Sequence, residues 1–206
     1  MHKLLLLLII SFFSFAAKAQ IGEWTPACYY DINNSRICGK IKWDVPARNI
    51  FKGTGDHIQF RTADSVKKEK ISTDKIKSFV IKTDSFVVSH HPYLKEYPVL
   101  KVLLDNPIKL YVNLRVNSTP STMGAGSYTG TTVTLGYWER YNTRYFYGEN
   151  PDNITELSRS KFIEIMSKIM ADNNGIVQAI KNKEYRYGKI DELVKQYKIF
   201  KEHPIE

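Results

Sequence analysis

A strict alternation of aliphatic and polar residues between Ile108 and Val116 constrains the fold more than any other feature of this sequence. The segment reads Ile-Lys-Leu-Tyr-Val-Asn-Leu-Arg-Val. Successive side chains point to opposite faces of a β-strand. The segment therefore predicts a strand with one aliphatic face, which is buried, and one polar face.

The preceding residues, from Val99 to Leu104, predict a partner strand, and Asp105-Asn106-Pro107 predicts the turn between the two. A three-residue connection pairs Leu104 with Ile108, Val102 with Leu110 and Leu100 with Val112. All six side chains then share the buried face. Such cross-strand apolar pairs stabilise a sheet, and a slip of one residue would expose the whole set.

The chain begins with a pattern typical of a secretory signal peptide. Met1-His2-Lys3 is a basic head, Leu4 to Phe15 is apolar, and Ala17-Lys18-Ala19 supplies the small residues that a signal peptidase reads. A membrane anchor is the alternative, but the run is shorter than the about 20 apolar residues that span a bilayer. We expect cleavage after Ala19, a secreted or periplasmic protein, and no transmembrane segment in the mature chain.

Export leaves 187 of the 206 residues, and loss of Lys3 and Lys18 lowers the formal charge from +9 to +7. A basic surface of this kind is either simply well solvated or attracted to anionic envelope polymers or lipid headgroups. Nucleic acid is not an expected partner, because export removes it and no recognition motif is present. The partners considered are an envelope glycan, a peptide or another protein.

Cys28 and Cys38 are the only cysteines, and a turn at Asn33-Asn34-Ser35 lies between them. A turn centred on Asn33 places the two cysteines directly across a hairpin. An even cysteine count in an exported chain favours a disulfide. A reduced pair of buried thiols is the alternative.

The pattern along the chain predicts an α+β fold, in which a mainly antiparallel sheet or incomplete barrel precedes short helices packed on it. Residues 20–150 form the β region, with eight or nine strands before Tyr147. Within it, Ser118 to Gly130 predicts a polar surface loop, and Thr131 to Tyr147 predicts a hairpin rich in aromatic residues. Residues 151–206 form the helical region, which we expect to be one structural unit with the β region.

Helical periodicity begins near Ser160. One apolar stripe contains Phe162, Ile165, Met166, Ile169 and Met170. A short helix follows Asp172-Asn173-Asn174-Gly175, and a linker with Tyr185 and Tyr187 leads to a last helix from about Lys189. The apolar side of that last helix contains Ile190, Leu193, Val194, Tyr197 and Phe200.

Several short segments together resemble a known group of proteins. They are Tyr29-Tyr30, Gly39-Lys-Ile-Lys-Trp43, Lys75-Ile-Lys-Ser-Phe79, Leu100-Lys-Val-Leu-Leu104, Asn182-Lys-Glu-Tyr-Arg-Tyr187 and Ile190-Asp-Glu-Leu-Val-Lys-Gln-Tyr197. In this pattern the chain resembles the uncharacterised secreted proteins of the Bacteroidota cell envelope. The resemblance implies an envelope location and a layout of strands followed by helices. It implies no activity for any residue.

The sequence contains no motif that specifies catalysis. His90 and His91 are adjacent, so a strand would point them to opposite faces, and a metal site would need His57 and distant carboxylates to converge. No metal, cofactor or catalytic residue is therefore assigned. Gly124 and Gly126 lack the context of a phosphate loop.

Aromatic density gives the best ligand-binding candidates, because tyrosine and tryptophan offer rigid faces for sugars or peptides. These candidates are Tyr137, Trp138, Tyr141, Tyr145 and Tyr147. Packing against neighbouring strands or helices is the alternative. The sequence thus favours a non-catalytic binding or structural module of the cell envelope. Its rivals are a hydrolase whose site only the fold assembles, and an adhesion protein that binds anionic polymers.

Overall fold

The structure is a computed structural model that describes residues 23–46, 55–62, 65–124 and 132–202, with the backbone alone described for 117–124 and 132–141. The proposed signal peptide and its cleavage site after Ala19 lie outside these ranges. The described residues form an open antiparallel sheet followed by three short helices, which confirms the predicted α+β class.

Ten strands form the sheet in the spatial order β10-β9-β8-β7-β6-β5-β1-β2-β3-β4. All neighbouring strands are antiparallel. β4 is an edge strand, and its charged Glu69 and Lys70 are typical of an edge that resists pairing with another sheet. The strands are β1 Thr25–Asp31, β2 Arg36–Lys42, β3 His57–Arg61, β4 Glu69–Ser72, β5 Ile76–Ile81, β6 Asp84–Val88, β7 Val99–Leu104, β8 Lys109–Gly124, β9 Thr132–Asn150 and β10 Asn153–Glu156.

The β1–β2 hairpin carries the predicted disulfide. Cys28 lies directly opposite Cys38 in the register, and the two are bonded. The turn between them is held by Asp31, whose carboxylate accepts hydrogen bonds from the backbone N–H groups of Asn33 and Ser35 at 2.8 and 2.7 Å. Local turn chemistry therefore sets the register that brings the cysteines together.

The β7–β8 hairpin exists, but its predicted register is wrong. Leu104 pairs with Leu110 rather than with Ile108, and a bulge between Val102 and Leu104 shifts the rest, so that Val102 pairs with Tyr111. The bulge adds one residue to β7. Leu100 and Val102 consequently lie on the same face of the sheet as Tyr111. Leu110 and Val112 lie on the other face.

The middle of the polar face of β8 is also buried, contrary to prediction. Tyr111 and Asn113 are both 0% exposed. The cause is the connection between β6 and β7, where a 3-10 turn at Pro92–Leu94 places Leu94 against this face. Ile154 of the edge strand β10 extends the same cluster beside Phe146, so this part of the sheet is buried on both sides. This second-face cluster contains Leu94, Leu100, Tyr111, Phe146 and Ile154.

β8 and β9 are much longer than expected. The predicted loop from Ser118 is strand as far as Gly124, and the predicted aromatic hairpin is the single strand β9. Backbone pairing continues through Val116–Tyr141 and Thr119–Trp138. Threonine favours strands, and a long partner supplies hydrogen bonds at each step, so this polar stretch pairs instead of looping out.

The sheet is strongly curved. Residues on one face of β1 to β8 share a single apolar cluster, which includes Ile41 and Phe60 from one side and Phe86 and Val116 from the other. The backbone N–H of Val116 also donates to Pro46 O at 2.9 Å, which joins β8 to the segment after β2. The sheet is therefore the open, mainly antiparallel sheet that the sequence offered as one of its two alternatives, and it does not close.

The helices are α1 Phe162–Ile169, α2 Asn174–Lys181 and α3 Ile190–Glu202. Asn153–Glu156 is the last strand, not the start of the helical region, because it pairs with β9. Both predicted apolar stripes are otherwise confirmed. None of the helices in the described ranges has the length and apolar character needed to cross a membrane.

The helices cover the aliphatic face of the sheet near β8 and β9. Leu110 and Val112 share one buried cluster with the stripes of all three helices. Within it, Leu193 and Met166 are 0% exposed. Burial of this kind stabilises by about 25 cal/mol per Å² of apolar surface, so helices too short to persist alone are held by the sheet.

Candidate functional site

The aromatic residues selected from the sequence do not form one described site. Tyr137, Trp138 and Tyr141 lie in β9 opposite Pro120, Thr119 and Val116. Their side chains lie outside the described part of the structure, so their role in ligand binding stays a prediction.

Tyr145 and Tyr147 contact the helices. Tyr145 is 6% exposed, donates its hydroxyl hydrogen to Asp191 Oδ1 at 3.1 Å, and meets the edge of Tyr187 with ring centroids 5.8 Å apart. Tyr147 is half-buried against the same helical cluster. For these two residues the structure shows the packing that the sequence offered as the alternative to ligand contact.

Burial raises the pKa of Tyr145 to about 12, and the negative charge of Asp191 adds to the effect. Burial likewise raises the pKa of Tyr111 to about 12. Both phenols are harder to ionise in the folded state than in the unfolded chain, where the pKa is near 10. Their contribution to stability is thus complete below pH 10 and is lost as pH rises from 10 towards 12.

We therefore expect the free energy of unfolding, measured by urea titration, to fall steadily above pH 10. In the Tyr145→Phe variant the fall should be smaller, because one of the buried phenols whose pKa is raised is absent. An identical alkaline decline in both proteins would show that Tyr145 does not contribute.

A groove beside the helices has the features of a ligand site. Its volume is about 820 Å³, and it lies between the start of α1 and the connection from α2 to α3. We call it the aromatic groove. Its walls are Arg159, Phe162, Ile163, Lys183, Glu184, Tyr185, Arg186, Tyr187, Gly188 and Lys189.

Two local backbone motifs shape the aromatic groove. α2 ends in a Schellman motif, in which Glu184 N–H donates to Ala179 O and Lys183 N–H to Ile180 O, both at 3.0 Å. Lys183 has a φ of 62°, a left-handed conformation that favours glycine. A 3-10 turn at Tyr187–Lys189 then leads into α3. The chain thus turns sharply twice within a few residues, and its side chains line one concavity.

Tyr187 anchors the floor of the aromatic groove. Its ring meets Tyr145 at 5.8 Å and Phe162 at 6.4 Å, both edge to face, and the Arg159 Cζ lies 5.8 Å from its centroid. Burial raises the pKa of the Tyr187 hydroxyl, and the charge of Glu156 raises it further. The floor is a neutral aromatic surface supported by the sheet below, so it is preformed for a ligand.

Positive charge dominates the rim. Four cations, Arg159, Lys183, Arg186 and Lys189, line the aromatic groove, against the single carboxylate of Glu184. Lys189 also reaches Glu192, at 3.4 Å. α1 begins here without a side-chain cap, and Glu164 in its first turn offsets part of the positive charge of its N-terminus. The arrangement suits a ligand that combines a planar or apolar group with negative charge.

The histidines lie away from this groove. His57 Nδ1 is 2.8 Å from Asp56 Oδ1, and His90 Nδ1 is 3.4 Å from Asp152 Oδ1. Among the described residues, no group of three or more histidine, cysteine or acidic side chains has the arrangement of a metal site. None of these histidines lines the groove wall.

No protein-family model, curated protein or solved structure matches the chain. The candidate site consequently rests on geometry. Sequence reasoning treated residues 182–189 as a linker and missed the groove. The available signal was the alternation of cations and tyrosines in Lys-Glu-Tyr-Arg-Tyr-Gly-Lys, which is unusually rich in binding side chains for a connection.

Proposed function

We propose that the protein is an exported, non-catalytic binding module of the cell envelope, and that the aromatic groove holds its ligand. The apolar run and Ala17-Lys18-Ala19 support export, as does the disulfide, since such bonds persist in oxidising compartments. The resemblance to secreted Bacteroidota proteins points the same way.

The observation that carries the proposal is the pairing of an aromatic floor with a cationic rim. Tyr185 and Tyr187 supply flat faces for a ring, while Arg159 and Arg186 supply donors for an acidic group. The ligand class is therefore a small anion with a ring, such as an acidic sugar unit or an aromatic acid. A concavity in which aromatic side chains hold a ring and a few polar groups fix its orientation is the usual form of such sites.

Binding of matched pairs of small probes tests this proposal. Phenyl phosphate and glucuronate should shift the NMR signals of the Tyr185 and Tyr187 rings, whereas phenol and glucose, which lack the charge, should shift them far less. Equal shifts from charged and neutral probes, or shifts confined to other parts of the protein, would contradict the proposal.

Replacing Lys183 by glycine should raise stability and weaken ligand binding, so the two effects can be told apart. Glycine adopts the left-handed conformation without strain, so we expect the free energy of unfolding to rise by about 1 kcal/mol. The loss of one rim cation should at the same time weaken phenyl phosphate binding severalfold. Chemical denaturation and calorimetric titration measure the two effects.

Lys82 provides a matched control. It has a φ of 55° in the β5–β6 turn, and it does not line the aromatic groove. Lys82→Gly removes the same charge and the same kind of backbone strain. It should raise stability by a similar amount and leave probe affinity unchanged. If both variants weaken binding equally, net charge rather than the groove governs affinity.

A further inference from the structure

The outer face of β1 to β4 carries an unusual distribution of charge. Strand alternation sends Ile41, Ile58 and Phe60 into the core and their neighbours outward. The outward positions of these four strands include five cations and no carboxylate. We call this surface the basic face, and its cations are Arg36, Lys40, Lys42, Arg61 and Lys70.

The register places four of these cations close together, whereas Arg36 lies nearer the turn, opposite Tyr30. Lys40 lies opposite Arg61, and Gln59 lies between Lys42 and Lys70 on the flanking strands. Neighbouring strands are about 4.8 Å apart, and successive outward residues on one strand are about 7 Å apart. Like charges placed directly opposite one another are destabilising. Within the described ranges, none of Lys40, Lys42, Arg61 and Lys70 forms an ion pair.

An aromatic side chain accompanies the cations. The guanidinium carbon of Arg61 lies 4.5 Å from the ring centroid of Trp24, which is half-buried. Arg61 also lines a depression of about 460 Å³ together with Lys67, Lys68 and the carboxylate of Glu69. Cations therefore outnumber carboxylates there by three to one, and the Trp24 ring lies beside Arg61.

We propose that the basic face binds an anionic polysaccharide, a chain of sugars that carry carboxylate or sulfate groups. Cations on three adjacent strands complement a polymer with repeated negative charge, and the Trp24 ring beside Arg61 adds an aromatic surface next to them. The outward strand positions hold no exposed Leu, Ile, Val or Phe, and the exposed Ile32 and Val66 are single residues in separate connections, so the face has no apolar patch suited to a lipid bilayer. This inference does not depend on the aromatic groove, which other residues form.

Alginate, a polymer of uronic acids, tests the inference, with dextran as the uncharged control. The mature protein should bind alginate and not dextran, and affinity should fall steeply between about 50 and 200 mM salt, because polyanion binding releases counterions. The Lys40→Gln/Lys42→Gln/Lys70→Gln variant should lose about tenfold or more in affinity. Its melting temperature should be unchanged or higher, since like charges are removed.

A second triple variant removes equal charge elsewhere. This control variant replaces three exposed lysines by glutamine: Lys95, Lys181 and Lys195. None of them lines the aromatic groove or belongs to the basic face. It should bind alginate within about twofold of the parent. Equal losses in both variants would overturn the inference in favour of net charge alone. Absence of alginate binding, or binding only to vesicles that contain phosphatidylglycerol, would also overturn it.

Discussion

Deleting residues 159–206, which removes all three helices, should leave a chain that no longer unfolds cooperatively. The deletion exposes Leu110, Val112 and Tyr145, which the helices bury in the structure. Truncating even one such buried side chain costs about 2–5 kcal/mol, and a typical domain has only about 5–15 kcal/mol in total. Size-exclusion chromatography and thermal melting should show an aggregated or poorly folded product.

A second truncation makes the test sharper. Deleting residues 152–206 also removes β10 and with it Ile154, which belongs to the second-face cluster. This chain should be at least as defective, because β9 becomes an open edge. If either product stays monomeric and melts at the temperature of the full chain, the helices are an independent appendage.

The alternation in β8 correctly predicted a buried aliphatic face, yet it misassigned the polar one. Tyr111 and Asn113 alternate with aliphatic residues, which is the pattern of a strand with one solvated side. Burial of both sides depends on Leu94 and Ile154, which are distant in sequence. The residue pattern of a strand shows which of its faces can be buried. Whether another segment packs on that face depends on tertiary structure.

The register errors have the same origin. Turn length and alternation do not reveal the bulge in β7, because Val102, Leu103 and Leu104 are all aliphatic and any of them suits a buried position. The aromatic groove was missed for a related reason. Its walls join Arg159 and Phe162 to residues 183–189, and only the packing of the helical region into one cluster brings them together.

Asn113 is the buried polar residue that best explains how the second face is held in place. Its Nδ2 donates to the carbonyl oxygens of Tyr97 and Val99, both at 3.0 Å, and its Oδ1 accepts from Arg115 Nε at 2.8 Å. The Arg115 guanidinium in turn lies 4.4 Å from the centroid of the Tyr97 ring. One side chain therefore fixes the β6–β7 connection, and through it the position of Leu94.

Asn113→Ala should lower the free energy of unfolding by about 2–4 kcal/mol. The substitution removes three hydrogen bonds at a site with no solvent access. Each buried donor or acceptor left without a hydrogen-bond partner costs about 1–3 kcal/mol. The Arg115 guanidinium also loses the acceptor for its Nε, at a position where burial and the nearby charge of Arg144 already lower its pKa. Urea unfolding of the two proteins at neutral pH measures the difference.

Asn142 supplies the matched control for this experiment. It lies opposite Arg115 on β9 and is exposed, so Asn142→Ala deletes the same amide where water replaces its contacts. Its effect should stay within about 0.5 kcal/mol. Amide hydrogen exchange should show faster opening of residues 89–99 in Asn113→Ala than in Asn142→Ala, since only the first change frees the connection. Equal stabilities and equal exchange rates would mean that apolar packing of Leu94 and Leu100, not the asparagine, holds this segment against the sheet.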